Sequence, residues 1–295
     1  MKSLENMKGV GGVSTNNDDL SIEWSSHLKI HYPALAEVYL NESAETKINR
    51  QFKERNNKLL SKPTTTYSTT FYDLFARVID NRIGSARELK VAHSLLGQLN
   101  GEVQKLLDIL SQNSISTNQL KGQMDGLFRL NDAKYLDKVG ELLSTNYILE
   151  NYDHFKLLQL EFKHERHLGK RSKDSDLLLF DKTLNRKVLV DILNINLDHK
   201  KIESEEGLSE ILSHRIENKA FDKRYTDAEV VQTFGKAVIQ PFIWVYDWHT
   251  IVTYKEVLGN FSVYNSLPIL LLRQRSDFQS QQIYYDCIKA SDITN

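Results

Sequence analysis

Residues 175–193 read SDLLLFDKTLNRKVLVDIL. They contain two short apolar runs, Asp176–Phe180 and Val188–Leu193, and each run carries one aspartate. Apolar strands seldom accept an aspartate, because burying an unpaired charge costs several kcal/mol. The segment between the runs is polar and turn-like, so the whole stretch reads as a β-hairpin. With 182–185 as a four-residue loop, Asp181 faces Arg186 in a favourable cross-strand pair. Counting back, Phe180 meets Lys187, Leu178 meets Leu189, and Asp176 falls opposite Asp191. Directly opposed side chains in an antiparallel pair have Cβ atoms roughly 4.5–5.5 Å apart. Two carboxylates that close repel unless a proton or a cation lies between them. The hairpin therefore points to a metal site.

Working outward, Asn131 or Asp132 can cap a helix with apolar positions Leu136, Val139, Leu142, Leu143 and Tyr147. Residues 155–162 (FKLLQLEF) read as a strand, and a basic, glycine-containing link, 163–173, leads into the hairpin. After the hairpin, 203–225 reads as helix. Thr226 to Glu229 has the form of a capping box opening a second helix, with Val230, Val231, Phe234, Ala237 and Val238 on its apolar side. Residues 242–246 (FIWVY) read as a buried strand, and 267–272 and 283–288 as further strand or mixed elements. The order from residue 131 onward is helix, three strands, helices, strand.

That order, with acidic residues on the first helix and on two successive strands, resembles the PD-(D/E)xK nuclease superfamily. Ser175-Asp176 stands at the proline-aspartate position and Asp191-Ile192-Leu193 at the (D/E)-x-K position. Glu141 matches the glutamate that many members carry on the first helix. The resemblance implies an α/β fold, a restriction-endonuclease-like mixed sheet flanked by helices. It also implies Mg²⁺ or Mn²⁺ on Asp176, Asp191 and Glu141, and hydrolysis of DNA or RNA in defence, transposition or repair. The motif lysine is replaced by Leu193, which cannot orient or activate a water. Some families move that lysine to a neighbouring element. Lys163, Lys170, Lys187 and Lys236 are candidates, although Lys187 is too far along its strand for a direct role. Lys236 and Gln232 would lie on the capped helix beside the site. Lys163, Arg166, Lys170, Arg171 and Lys173, with His164 and His167, form the densest positive stretch and suit phosphate contacts. The two histidines are three apart, unlike the four-residue spacing of a helical zinc motif.

The rest of the chain is ordinary in composition. It has 295 residues, 40% hydrophobic and 26% charged, and a formal charge of -1, which leaves no overall electrostatic footprint for nucleic acid. One cysteine, Cys287, excludes an intramolecular disulfide and fits a reducing cytoplasm. No apolar run approaches the length of a membrane span, and the first residues lack the apolar region of a signal peptide. Residues 1–20 read as a flexible leader, 21–130 as a mostly helical region, and 131–295 as the nuclease-like α/β domain. Leu89, Ala92, Leu96, Leu99, Val103, Leu106 and Leu110 form a 3-4 seam. It fits a homodimer or protein-partner surface, or an intramolecular hairpin with 120–130. A second overall reading is a catalytically lapsed nuclease fold. Such a module would bind protein or nucleic acid through the seam or through aromatics around Trp244, Tyr246 and Trp248.

Overall fold

The structure is a computed structural model that describes residues 19–39, 86–124, 135–163, 174–245, 247–263, 265–276 and 283–293, with a few single positions between them. Residues 1–18 of the expected leader and the basic residues Arg166, Lys170, Arg171 and Lys173 lie outside the described residues, as do His164 and His167; the leader's last two positions, Asp19 and Leu20, are helical. The chain is mixed α/β. Helices α1 (Asp19–His31), α2 (Pro33–Tyr39), α3 (Ala86–Gln112) and α4 (Asn118–Met124) come first. Then follow α5 (Tyr135–Asn151), β1 (Phe155–Phe162), β2 (Ser175–Asp181) and β3 (Arg186–Asn196). Helices α6 (Glu205–Asp222) and α7 (Ala228–Phe234) lead to β4 (Lys236–Trp244). The short helices α8 (Trp248–Thr253) and α9 (Lys255–Asn260) precede β5 (Leu270–Ser276) and β6 (Ile283–Lys289). No helix among the described residues is long and apolar enough to cross a membrane.

The six strands form one sheet in sequence order. β1, β2 and β3 are antiparallel neighbours, β3, β4 and β5 run parallel, and β6 returns antiparallel to β5. The hairpin register is the one its turn dictates. Asp181 pairs with Arg186, Phe180 with Lys187, Leu178 with Leu189 and Leu177 with Val190. Asp181 also fixes the loop, its Oδ1 accepting from the Thr183 and Leu184 amides at 2.9 Å each. This is the local carboxylate-to-backbone turn that aspartate favours.

Helix α5 lies against β3 and β4, and a glycine permits it to do so. A Cβ at Gly140 would overlap the side-chain oxygen of Asn194 and stand 3.1 Å from Phe242. Asn194 has little room to yield. Its amide donates to the Asp137 carbonyl at 3.0 Å, and its oxygen accepts from the Trp244 indole at 3.2 Å. Gly140→Ala is expected to lose about 1–3 kcal/mol, the usual cost of overpacking, read as a lower urea midpoint with an unchanged slope.

One continuous apolar core joins the N-terminal helices to the face of the sheet that α5 covers. The heptad-like seam is spent there. Ala92, Leu96, Leu99, Val103, Leu106 and Leu110 are all fully buried, packed against α2, α5 and β6. The chain turns after Gln112, but α4 packs on α2 and β1 rather than forming the expected hairpin with α3. The aromatic surface is likewise not where the sequence suggests. Trp244 is buried, Trp248 is half-buried beneath the Arg273 guanidinium, and Tyr246 lies outside the described residues.

The second helix after the hairpin is shorter than its apolar pattern implies. Asp227, not Thr226, occupies the cap, and α7 stops at Phe234 because Gly235 adopts φ +77°, where a Cβ would crowd the Lys187 carbonyl. Ala237 and Val238 therefore belong to β4 and alternate across the sheet.

Candidate metal and phosphate site

The hairpin register continues one step past its last backbone pair. The ladder ends at Leu177 with Val190, and the next position sets Asp176 across from Asp191. There the side chain takes over from the main chain, with Asp176 Oδ2 accepting from the Ile192 amide at 2.6 Å. On the other side of β2, Leu160 pairs with Leu177 and Phe162 with Ser175, which puts Glu161 across from Asp176. Three adjacent strands thus offer a row of carboxylates: Glu161, Asp176, Asp191. A bulge in β1 between Leu157 and Gln159 sets that register, and Glu161 itself has a left-handed backbone, φ +48°. Both features re-aim a side chain at the end of a strand. Glu141 joins the row from α5, and its acid oxygens, with those of Glu161 and Asp176, lie within 4.8 Å of one another.

Such a row survives only with compensating charge, and lysines supply it. The apolar stripe of α6, Leu208, Leu212 and Ile216, is fully buried and continues into Lys219 and Lys223. The helix and its C-cap, Lys223, therefore bring two ammonium groups onto Asp191, Lys219 2.7 Å from Oδ1 and Lys223 2.9 Å from Oδ2. Lys223 also donates to the Asp174 carbonyl. Past the helix, Arg224 takes a left-handed backbone (φ +58°) and turns Tyr225 back into the core. The Tyr225 hydroxyl donates to Asp191 Oδ2 at 2.7 Å and lies 2.6 Å from Ser175 Oγ. On the α5 side, Lys138 bridges Glu141 at 2.6 Å and Glu161 at 3.3 Å.

Asp191 is fully buried and its charge is neutralised by two lysines. Asp176 is 8% exposed and, among the described residues, has no cation in direct contact. Burial pushes its carboxyl well above the usual range, and Asp191 and Glu141 push the same way against Lys219 and Lys223. Burial likewise raises Glu141, to about 7; Lys138 opposes this and Glu161 adds to it. Lys219 is held above the ordinary lysine value, because Asp191 and Asp176 outweigh the effect of burial. Burial and then Asp191 raise the Tyr225 phenol well above its usual value, which keeps it a proton donor. Among the described residues, four carboxylates (Glu141, Glu161, Asp176 and Asp191) thus face three lysines (Lys138, Lys219 and Lys223).

A pH effect follows. A carboxyl raised in the folded state holds a proton that the unfolded chain has already released. Its stabilisation is complete below the unfolded value and is lost as pH rises through the folded one. For Glu141 that window runs from 4.5 to about 7, so the metal-free protein is expected to lose up to about 3 kcal/mol between pH 5 and 8. Urea unfolding in EDTA at the two pH values checks this, and Glu141→Gln should flatten the difference.

The other residues singled out in the sequence lie apart from this cluster. Lys236 is on β4, paired with Val188, and lines an apolar cavity with Tyr152, Phe155 and Leu184 rather than the carboxylates. It leaves the capped helix because Gly235 ends that helix. Gln232 is on α7 but exposed. Lys163 follows β1, 42% exposed, and stands 4.0 Å from Asp174. Lys187 is exposed and pairs with Phe180. The residues that sequence reasoning missed are Lys138, Glu161, Lys219, Lys223 and Tyr225. Cys287 is not part of the cluster, and burial pushes its thiol up to about 12, consistent with an unreactive side chain. Comparison of the chain with protein-family models, with curated proteins and with solved structures finds no match.

Proposed function

We propose that the chain is a metal-dependent phosphodiesterase of the PD-(D/E)xK type, acting on DNA or RNA. The observation that carries this reading is the row Glu161, Asp176, Asp191 on three adjacent strands, with Lys219 lodged against it. The donor set suits a hard cation, since Glu141, Glu161 and Asp176 offer oxygen ligands of the kind Mg²⁺ and Mn²⁺ prefer. Held there, such an ion would acidify a bound water and neutralise charge on a phosphodiester.

The protein's own part is positional. Leu193 cannot supply a cation, but α6 delivers Lys219 and Lys223 to the same carboxylate row. Asp191 holds both ammonium groups, and the hydrogen bond from Tyr225 orients Asp191 in turn. Asp191 therefore serves as the anchor of the lysines, and Glu161 takes the ligand position that the sequence motif assigns to Asp191. The helix–three strands–helices–strand order around the row supports a restriction-endonuclease-like core.

One observation favours a lapsed nuclease that binds without cutting. Both oxygens of Asp191 are already engaged, by two lysines and a tyrosine. Cleavage of single- and double-stranded DNA and RNA separates the readings, using Mg²⁺ or Mn²⁺ against EDTA with Asp176→Asn as control. Metal-dependent cutting that the substitution removes supports the enzyme. No cutting of any substrate by folded protein, with no metal bound on titration, leaves a binding module.

A further inference from the structure

Lys138 differs from the other two lysines of the carboxylate row in what it neutralises. Lys219 and Lys223 sit on Asp191, which is fully buried and which Tyr225 also holds. Lys138 Nζ instead lies 2.6 Å from Glu141 Oε2 and 3.3 Å from Glu161 Oε1. Those are two of the three acids whose oxygens lie within 4.8 Å of one another, so its ammonium stands among the donors that suit a hard cation. Mg²⁺ bonds oxygen at about 2.1 Å, so an ion on Glu141 Oε2 would lie within about 5 Å of that Nζ.

We infer that Lys138 is the resident counter-ion of the acidic row and is exchanged for the divalent metal when the site loads. The inference rests on the metal site of the proposed function. Charge drives the exchange. A metal holds its carboxylates ionised, so Glu141, Glu161, Asp176 and Asp191 then count four negative charges. Lys219, Lys223 and a dication count four positive ones, and keeping Lys138 as well would make five. Two cations a few ångströms apart in a half-buried site repel strongly, because little water screens them.

The side chain can leave without moving its helix. Asn194 donates to the Asp137 carbonyl at 3.0 Å, and Gly140 brings the same turn of α5 close against Asn194 and Phe242. The backbone is pinned there, whereas the Lys138 side chain is 23% exposed on a flexible four-carbon stem. Releasing Lys219 or Lys223 would instead leave a fully buried Asp191 short of a cation. An incoming metal must therefore displace an internal cation. Lys138 holds the metal-free acids together and lowers the affinity for the ion that replaces it.

The test is isothermal titration of the full-length chain with Mn²⁺ in the wild type and in Lys138→Met, Lys138→Gln and Asp176→Asn. Both Lys138 variants are expected to bind Mn²⁺ at least about tenfold more tightly than the wild type, and Asp176→Asn more weakly. In EDTA both Lys138 variants should have a lower urea midpoint, and saturating Mn²⁺ should raise theirs further than it raises the wild type's. A readout on the wild type alone needs no variant to fold. On addition of Mg²⁺ the ε-methylene resonances of Lys138 should take on the mobility of an exposed lysine, with those of Lys219 and Lys223 remaining ordered. A lysine that merely braces the acids for the metal would give equal or weaker binding when removed. The inference is overturned, and the nuclease reading left standing, if the wild type binds Mn²⁺ through Asp176 and neither Lys138 variant binds it more tightly. Both fall if none of the proteins binds Mn²⁺. Tighter binding in the Lys138 variants, with no cleavage of any nucleic acid by the wild type, upholds the exchange and removes the nuclease.

Discussion

Asp176→Asn is expected to reduce metal-dependent cleavage by about a thousandfold and, in the same protein, to raise stability in EDTA by about 1–2 kcal/mol at pH 8. The two effects have one cause. Asp176 is a buried carboxyl facing Asp191 and Glu141 and, among the described residues, has no ammonium in direct contact. At pH 8 the folded state either ionises it against those neighbours or holds a proton that the unfolded chain has released, and an amide removes that penalty. The hydrogen bond from the Ile192 amide to Oδ2 can survive, because asparagine keeps one acceptor oxygen. A divalent cation needs the negative oxygen that the amide lacks, so activity falls. A residue with a merely structural role would behave the other way, losing stability when its charge is removed. Urea unfolding in EDTA beside a cleavage assay gives both numbers. A variant that is less stable and equally active would refute the assignment of Asp176 to the site.

Opposite signs for stability and activity are a common mark of functional sites, where local order is strained for chemistry. The same strain explains what the sequence does and does not disclose. The hairpin is legible because its turn fixes the register and a period of two decides which residues share a face. Asp181 and Arg186 are enough to place Asp176 across from Asp191. Glu161 is not legible in that way. A simple alternation along β1 assigns its face wrongly, because the bulge after Leu157 and the left-handed backbone at Glu161 both break the period. Lys219 and Lys223 are a partial case. The stripe Leu208, Leu212, Ile216 points at them in steps of three or four, and an apolar stripe that ends in two lysines signals a helix leaving an apolar face for an acidic one. The identity of that acidic partner is tertiary information. Lys236 reads as helical because Ala237 and Val238 suit helical spacing as well as a strand. Gly235, one residue before it, is the available stop signal. Tyr225 is not legible at all, since nothing local shows that Arg224 reverses the chain.

Lys219→Met is expected to destabilise the protein by about 3–5 kcal/mol, the second large effect. Asp191 is fully buried, so its charge depends on groups the fold brings to it rather than on water. Lys219 sits 2.7 Å from one oxygen, Lys223 2.9 Å from the other, and Tyr225 donates to the oxygen that Lys223 meets. Removing Lys219 leaves Oδ1 buried beside Asp176 and Glu141 without its cation. Breaking a buried pair from one side costs far more than replacing both partners. Lys219→Met combined with Asp191→Asn should therefore recover most of the loss, and the coupling from the four-protein cycle should be positive and larger than 1 kcal/mol. Lys223→Met should cost less, because Tyr225 still serves Oδ2. If Lys219→Met shifts the urea midpoint by no more than an exposed lysine substitution does, the ammonium is not seated on Asp191, and its role in the proposed chemistry falls with it. If the double variant regains stability but not cleavage, the pair is retained for function at the expense of a more stable apolar alternative.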